Sequence, residues 1–184
     1  MQSKCSSLES TWLLRESISH NLERTGAVYV ALLDMRKAFD SIWTEGLFYK
    51  LYKTGMDGKL WRTLKDGYSE FKCCVSVHGT LSDTFSIGQS VHQGATWSMF
   101  KFAVYFNDLI EELQLSGDGV NIDNISVACP TFADDSSIIC LYKVALQRQL
   151  DRAYHYSTKW RLKYNVSKSA VIIYGDDENP GLDI

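Results

Sequence analysis

The sequence is poor in proline, with only two in 184 residues, and it has no long apolar run. The scarcity of proline, together with 45% hydrophobic residues, argues for a compact globular chain without long linkers. The longest aliphatic run, residues 27–33, is far shorter than the roughly 18 residues that a membrane-spanning helix needs. The N-terminus leads into polar sequence and lacks the apolar core of a signal peptide. We therefore expect an intracellular protein, nuclear or cytoplasmic, without membrane association.

Metal-binding cysteine pairs and an excess of positive charge are also missing. The five cysteines form no Cys-x-x-Cys pair, and the four histidines are scattered. Neither a disulfide framework nor a zinc site is indicated, so the cysteines are expected to be reduced thiols. The net charge is −3 and the pI is about 5.8. Because free-standing nucleic-acid binders are usually basic, this balance argues against strong autonomous binding of nucleic acid.

The hydrophobic pattern predicts a mixed α+β domain. A capping box at Ser6 and Glu9 opens a helix over about residues 7–24, which Gly26 is expected to end. The run at 27–33 lacks alternation, which is typical of a central strand covered on both faces. The tail at 176–184 is acidic and expected to be loosely ordered, after one domain over residues 1–175. The other predicted elements are helices at 44–54, 57–69, from Gly94 and at 145–164, a hairpin with strands at 71–78 and 84–87, a polar loop at 117–124 and a closing strand at 170–174.

The adjacent aspartates Asp134 and Asp135 are the most informative feature of the sequence. The β-prone runs at 125–129 and 137–141 flank them, which predicts a hairpin with both aspartates at or beside its turn. Adjacent carboxylates repel each other, and a divalent cation that prefers hard oxygen ligands, such as Mg²⁺, would remove this repulsion. A solvated Asp-Asp pair in an ordinary turn is the simpler alternative.

A third carboxylate, Asp34, comes directly after the predicted strand at 27–33. If the hairpin lies beside that strand, Asp34, Asp134 and Asp135 converge at one sheet edge. Such an arrangement could hold two divalent ions for phosphoryl transfer, a reaction that depends on positioning and charge neutralisation. The alternative is that Asp34 only ends the strand or caps the next segment of the chain.

Four segments, in order, resemble the motifs of one enzyme family. Residues 33–42 (LDMRKAFDSI) look like motif A of the reverse transcriptases of non-LTR, LINE-like retrotransposons. Residues 91–94 (VHQG) resemble motif B, and residues 132–135 (FADD) resemble motif C. Trp160, Asn165 and Lys168 lie where motif D would place an aromatic residue, a turn asparagine and a lysine. The resemblance covers about residues 8–174, and four motifs in order are far more specific than any one of them.

This resemblance implies a polymerase palm, an antiparallel sheet backed by helices, with RNA-directed DNA polymerase activity. The implied partners are an RNA template, a DNA primer and deoxynucleoside triphosphates, and the implied cofactor is Mg²⁺, with Mn²⁺ as a substitute. Asp34 and Asp134 match the principal metal ligands and catalytic residues of the family, and Asp135 matches the supporting carboxylate.

The resemblance also assigns nucleotide- and template-binding residues. Phe39 matches the aromatic residue that lies under the incoming sugar and excludes a 2′-hydroxyl, although ordinary core packing would explain it as well. Gln93 and Gly94 match the template and nucleotide contact, where glycine allows close backbone approach, but a glycine that starts a helix would read the same way. Lys168 matches the motif D lysine near the triphosphate, and a solvated surface lysine is its alternative.

Motif B departs from the family pattern, and other readings stay open. Ser90 stands where glycine is usual, Met99 follows Ser98 where proline is expected, and Lys101 occupies an apolar position. The chain is short, which implies a palm with partial fingers and no thumb, either a fragment of a retroelement or a short reading frame left by one. The alternatives are a catalytically inactive remnant or domesticated palm that acts as a binding module, and an unrelated Mg²⁺-dependent phosphotransferase.

Overall fold

The computed structural model describes residues 7–69, 72–86 and 98–175. The chain divides into two compact units: a sheet unit formed by Met1–Ala38 and Phe106–Ile184, and a middle unit formed by Phe39–Tyr105. None of the helices in the described ranges is long and apolar enough to cross a membrane. The helices are α1 (Ser7–Thr25), α2 (Thr44–Lys53), α3 (Gly58–Ser69), α4 (Ser98–Leu115) and α5 (Lys143–Lys159). The strands are β1 (Ala27–Leu33), β2 (Lys72–Cys73), β3 (Ser76–Val77), β4 (Thr80–Leu81), β5 (Phe85–Ser86), β6 (Val120–Ile122), β7 (Ile125–Val127), β8 (Thr131–Phe132), β9 (Asp135–Cys140) and β10 (Ala170–Gly175).

The sheet unit is built around β1, which lies inside a four-stranded antiparallel sheet of order β10-β1-β9-β8. Val30 of β1 faces Ile172 of β10 on one side and Ile139 of β9 on the other. Val28, Val30 and Ala31 are all buried, so both faces of the strand are covered. The run at 27–33 is apolar without alternation because both faces of the strand are buried, and the predicted central strand is confirmed.

One face of the sheet packs against α1 and the β6–β7 hairpin. Val28, Val30 and Ile139 form a buried cluster with residues of that hairpin, and apolar side chains of α1 pack onto it. The α1 helix ends as predicted, because the Gly26 N–H donates to the Leu22 carbonyl oxygen at 3.0 Å. The α5 helix packs against β9 and β1. The sheet is thus backed by helices, as a palm fold requires.

The end of α5 differs from the prediction. The helix stops at Lys159 rather than near 164, and Arg161 takes a left-handed φ of 57°. The chain then turns back, and Tyr164 forms an isolated antiparallel bridge with Met35. Trp160 and Tyr164 are four residues apart, which imitates helical periodicity across what is in fact a turn. The helix break predicted at Asn165 is therefore wrong.

The segment before the aspartate hairpin is also more ordered than predicted. In place of a polar loop at 117–124, β6 pairs with β7, with Ile122 opposite Ile125. The β-prone run at 125–129 thus pairs first with β6. Only past Val127 does the chain reach β9, where the Ala128 and Pro130 carbonyl oxygens accept from the Ile139 and Ser137 N–H groups, each at 3.0 Å.

The middle unit contains α2, α3 and two short two-stranded ladders, β2–β5 and β3–β4. Both helices lie within one residue of their predicted bounds, and Trp61 of α3 joins them by donating its indole N–H to the Phe48 carbonyl oxygen at 3.2 Å. The two runs predicted as strands do pair, as β2 with β5. The connection expected at 79–82 is wrong, because it contains β4, which pairs with β3 around a His78–Gly79 turn with φ of 48° and 82°, as a type I′ turn requires. The strand ends predicted at 71 and 87, and the helix start predicted at Gly94, lie outside the described residues.

Candidate active site

The sheet delivers Asp34 to the same edge as the aspartate hairpin. Leu32 faces Ser137 and Leu33 faces Ser136 across the antiparallel β1–β9 pair. One further step in this register brings Asp34 opposite Asp135. The central strand and the aspartate hairpin are therefore neighbours in one sheet, as predicted.

The turn of this hairpin is Ala133–Asp134, because Phe132 of β8 pairs with Asp135 of β9. Asp134 is half-buried inside the turn, and Asp135 is exposed as the first residue of β9. This agrees with the prediction that both lie at or beside the turn. Ala133 adopts a left-handed φ of 54°, which costs an L-residue roughly 1–2 kcal/mol. The turn thus holds Asp134 in a tight and strained connection.

A second turn, on the β10 side, fixes the backbone of Asp34. The Asn165 N–H donates to the Asp34 carbonyl oxygen at 2.8 Å, and the Asp34 N–H donates to the Ser169 hydroxyl at 3.2 Å. The Arg36 N–H also donates to the Lys163 carbonyl oxygen at 2.8 Å. Ser169 was not predicted from the sequence as a residue of the site. Its local signal was weak: Asn165, Ser167 and Ser169 are residue types that bond to nearby backbone in turns.

Two buried hydroxyls border the end of β1. Ser136 Oγ and Tyr164 OH have no hydrogen-bond partner among the described residues. Ser136 faces Leu33 on one side of β1, and Tyr164 bridges Met35 on the other. Burial raises the pKa of the Tyr164 phenol, so this side chain stays neutral. Each unpaired buried hydroxyl costs about 1–3 kcal/mol, so this edge of the sheet is not optimised for stability.

The donor chemistry of the three aspartates suits a divalent cation, since carboxylate oxygens are the ligands that Mg²⁺ and Mn²⁺ prefer. The backbone register also brings their segments together. In the part of the chain that the structure describes, however, no group of three or more His, Cys, Asp or Glu side chains is arranged to hold a metal ion. The three aspartates thus have the right donor atoms for the ion, and the backbone register brings their segments together. Their side chains, however, do not converge on a common point.

Phe39 belongs to the middle unit and packs against α4. Its ring centroid lies 4.9 Å from that of Phe102, with the planes tilted by 38°. Phe102 is buried, and Phe39 is half-buried. This contact is what the packing alternative for Phe39 predicts. It does not test a role in nucleotide selection.

The other predicted nucleotide-binding residues have different outcomes. Gln93 and Gly94 lie outside the described residues. Lys168 is exposed, and its N–H donates to the Asn165 carbonyl oxygen at 2.9 Å, in the turn that holds Asp34. Lys168 therefore belongs to the same turn as Asn165 and Ser169, the two residues that contact the Asp34 backbone.

Lys101, which stands at an apolar position of motif B, is buried within the middle unit. Its Nζ donates to the Tyr68 hydroxyl at 3.0 Å and lies 4.6 Å from the centre of the Tyr68 ring. A hydrogen bond and a cation–π contact therefore offset the cost of burying the charge. These two contacts explain how the fold accommodates a lysine at a position where motif B has an apolar residue.

A charged cluster that the sequence reasoning did not single out fixes α5. The Asp118 carboxylate accepts hydrogen bonds from Arg148 and Arg152, the latter at 2.6 Å. Gln149, buried on the same helix, donates to the Leu113 carbonyl oxygen at 3.0 Å. The hydrogen bonds from Arg148 are the largest cause of a lowered pKa of Asp118. These contacts hold α5 against the C-terminal end of α4 and so stabilise the position of the helix that packs on the sheet.

An antiparallel sheet backed by helices, with aspartates after its central strand and in the adjoining hairpin turn, defines the class of polymerase palm domains. The sequence profile of the family described as "Reverse transcriptase (RNA-dependent DNA polymerase)" matches residues 2–178. The chain belongs to this family.

Curated relatives place the chain near the non-LTR retrotransposons, as the sequence motifs predicted. It is 27% identical over 152 residues to the RNA-directed DNA polymerase from mobile element jockey of Drosophila melanogaster, covering 79% of this chain and 16% of that protein. It is 25% identical to the Pol polyprotein from the type-2 retrotransposable element R2DM of the same organism, covering 82% of this chain and 14% of that protein. The chain therefore spans about a sixth of the curated relatives that it matches.

The fold is similar to that of a solved telomerase. The structure of telomerase from Candida tropicalis in complex with a fragment of telomeric RNA superposes with a TM-score of 0.71 at 15% identity, covering 92% of this chain and 30% of that chain. At this level of identity the likeness concerns the fold. It confirms the expected palm-like arrangement.

Proposed function

We propose that the chain is the catalytic palm, with part of the fingers, of an RNA-directed DNA polymerase. It extends a DNA primer along an RNA template with deoxynucleoside triphosphates. The β1–β9 register carries the proposal, because it brings Asp34 next to Asp135, with Asp134 in the adjoining turn. The mobile-element relatives, which are named as RNA-directed DNA polymerases, support the reaction. The domain comprises residues 1–175, and 176–184 form an acidic tail.

Asp34, Asp134 and Asp135 are the residues that would hold divalent cations, Mg²⁺ or in its place Mn²⁺. Two such ions, when bound, would supply activation of the attacking hydroxyl and charge stabilisation of the leaving pyrophosphate. The chain itself contributes positioning, which is the main requirement of phosphoryl transfer. The β1–β9 ladder ends at the Leu33–Ser136 pair, one residue before Asp34 and one after Asp135, and the 165–169 turn fixes the backbone of Asp34.

The remaining site residues act on the nucleotide and template. Gln93 and Gly94 contact the template and the incoming nucleotide. Lys168 is exposed and lies in the turn that holds Asp34, where its ammonium can neutralise or protonate the departing pyrophosphate. Phe39 excludes a 2′-hydroxyl on the incoming sugar.

A second candidate is a catalytically inactive palm that acts as a binding module. The observation in its favour is that the carboxylate side chains in the described ranges are not gathered as a ligand set. The net charge of −3 does not favour independent binding of nucleic acid, so such a module would bind a partner of another kind.

Primer extension on an RNA template with Mg²⁺ distinguishes the two candidates. Asp134→Asn keeps the shape of the turn residue and removes its charge. Asp123→Asn is the matched control, because Asp123 is an exposed residue in the β6–β7 turn. The polymerase proposal expects extension by the wild type and by Asp123→Asn, and none by Asp134→Asn. A wild type without activity, or one whose activity survives Asp134→Asn, contradicts it.

Binding of Mn²⁺ gives a readout that does not need activity. A cation that binds the folded state raises the melting temperature by linkage. Millimolar Mn²⁺ is expected to stabilise the wild type and Asp123→Asn more than Asp134→Asn. An equal shift in all three proteins would mean that the ion binds elsewhere.

A further inference from the structure

The backbone N–H and carbonyl oxygen of Asp34, the residue after β1, lie beyond the two ladders that fix the strand. Pairing with β10 ends at Leu32, and pairing with β9 ends at Leu33. The Asp34 N–H is instead bound by the hydroxyl of Ser169, 135 residues later in the chain, at 3.2 Å. Its carbonyl oxygen is bound by the Asn165 N–H at 2.8 Å. Both anchors of this residue come from one turn.

The orientation of the Ser169 hydroxyl is fixed by its two partners. The Asp34 N–H can only donate, so Ser169 Oγ must accept from it. The Asn165 carbonyl oxygen can only accept, so the Ser169 hydroxyl must donate its proton there, at 3.1 Å. The Lys168 and Ser169 N–H groups also donate to that carbonyl oxygen, each at 2.9 Å. The hydroxyl is therefore held in one orientation by a closed turn.

We propose that Ser169 is a positioning residue for Asp34, a role that rests on the proposed metal-binding function of Asp34. Because Asp34 lies past the last ladder pair, the Ser169 hydroxyl and the Asn165 N–H are the groups that fix its two polar backbone groups. Loss of the Ser169 contact would release the N–H side of Asp34, and its carboxylate would shift with it. Displacements of about 1 Å at a reacting centre can cost on the order of 10²-fold in rate. The same turn carries Lys168, so it sets the positions of Asp34 and Lys168 together.

Ser167 offers a matched control in the same turn. Its hydroxyl donates to the Asn165 side-chain oxygen at 2.8 Å, and it is exposed. Ser167→Ala therefore removes one hydrogen bond of the turn without removing a bond to Asp34. Ser169→Ala removes the bond to the Asp34 N–H, and Ser169→Thr retains a hydroxyl and is expected to rescue it.

Amide hydrogen exchange, measured by NMR on the metal-free chain, tests the contact itself. Exchange at the Asp34 amide is expected to accelerate about fivefold in Ser169→Ala, as for the loss of one typical hydrogen bond. The Val30 amide, inside the ladder, is the internal reference. Unchanged exchange at Asp34, or equal acceleration at Val30, would overturn the proposal, because the first denies the contact and the second reveals only general destabilisation.

Titration with Mn²⁺, followed by the paramagnetic signal of the free ion, tests the consequence. Ser169→Ala is expected to weaken binding about tenfold, as for other groups that orient metal ligands. Ser167→Ala and Ser169→Thr are expected to bind as the wild type does. Unchanged affinity in Ser169→Ala, with binding lost in Asp134→Asn, overturns the positioning role alone. Equal binding by the wild type and Asp134→Asn overturns the proposed metal site, and the positioning role with it.

Discussion

Replacing Gly175 with alanine is expected to destabilise the sheet unit severely. Gly175 is the last residue of β10 and faces Ala27 of β1, with a φ of +91°. A Cβ there would lie 1.9 Å from the Gly26 carbonyl oxygen and 2.8 Å from Leu22 Cδ1. The positive φ costs roughly 1–2 kcal/mol, and forcing an extra methyl against backbone adds about 1–3 kcal/mol. The sum is about 2–5 kcal/mol, against a typical total stability of about 5–15 kcal/mol.

Gly117→Ala separates the two causes. Gly117 also has a positive φ, +76°, but no atom lies within 4 Å of the position that its Cβ would take. This variant should lose only about 1–2 kcal/mol. The reduced freedom of the unfolded chain affects both variants alike and cancels in the comparison. Urea unfolding, followed by tryptophan fluorescence, gives both free energies. Equal losses in the two variants would refute the close approach of β10 to Gly26.

Three further perturbations test other parts of the structure. The lowered pKa of Asp118 means that its ion pairs stabilise the fold at neutral pH and that this contribution is lost as the pH falls below the ordinary carboxyl pKa of 3.8. Thermal melts should therefore show Asp118→Asn less stable than the wild type at pH 7, and the difference in stability should close below about pH 4. A stability difference independent of pH would contradict the stabilising role of these ion pairs. Ala133→Gly should stabilise the chain by about 0.5–1 kcal/mol in urea unfolding, since glycine accepts the left-handed φ at lower cost, and a loss of stability would show that the turn is not strained. Phe39→Ala should cost about 2–3 kcal/mol through the lost contact with Phe102, less than a fully buried ring would. If Phe39 also excludes the 2′-hydroxyl, primer extension by the folded variant should incorporate more ribonucleotides, and an unchanged sugar preference would remove that role.

The parts of the fold that were predictable are those whose signal is local. The unbroken apolar run at 27–33 predicts β1 residue for residue, because a strand buried on both faces needs no polar alternation. Gly26 likewise predicts the end of α1. The end of α5 was mispredicted because Trp160 and Tyr164 have helical spacing, although Tyr164 belongs to the segment beside Met35. Periodicity alone does not distinguish a helix from a turn that brings the same residue types back to the core.

Of the candidate site, only the identity of the candidate ligand residues was predictable. Asp34, Asp134 and Asp135 stand out as carboxylates at a strand end and in a hairpin turn. Their common position at one sheet edge depends on pairing between segments about a hundred residues apart, which no local pattern encodes. The contact between Ser169 and the Asp34 N–H is of the same kind, since the two residues are separated by 135 positions. A serine in a turn does not by itself predict which distant residue its hydroxyl will contact.

The position of β1 in the sheet has a consequence for how the chain is made. Both ladder partners of β1 come late: β9 begins at Asp135 and β10 ends at Gly175. At about 5–20 residues per second, β1 leaves the ribosome roughly 7–28 s before β10 is complete. Until β9 has been made this apolar strand has neither of its two neighbours, and until β10 has been made it still lacks one. Such segments are prone to intermolecular pairing. The yield of folded protein should therefore depend on protection of this one strand during synthesis, and a chain that stops before β10 would keep one edge of β1 open.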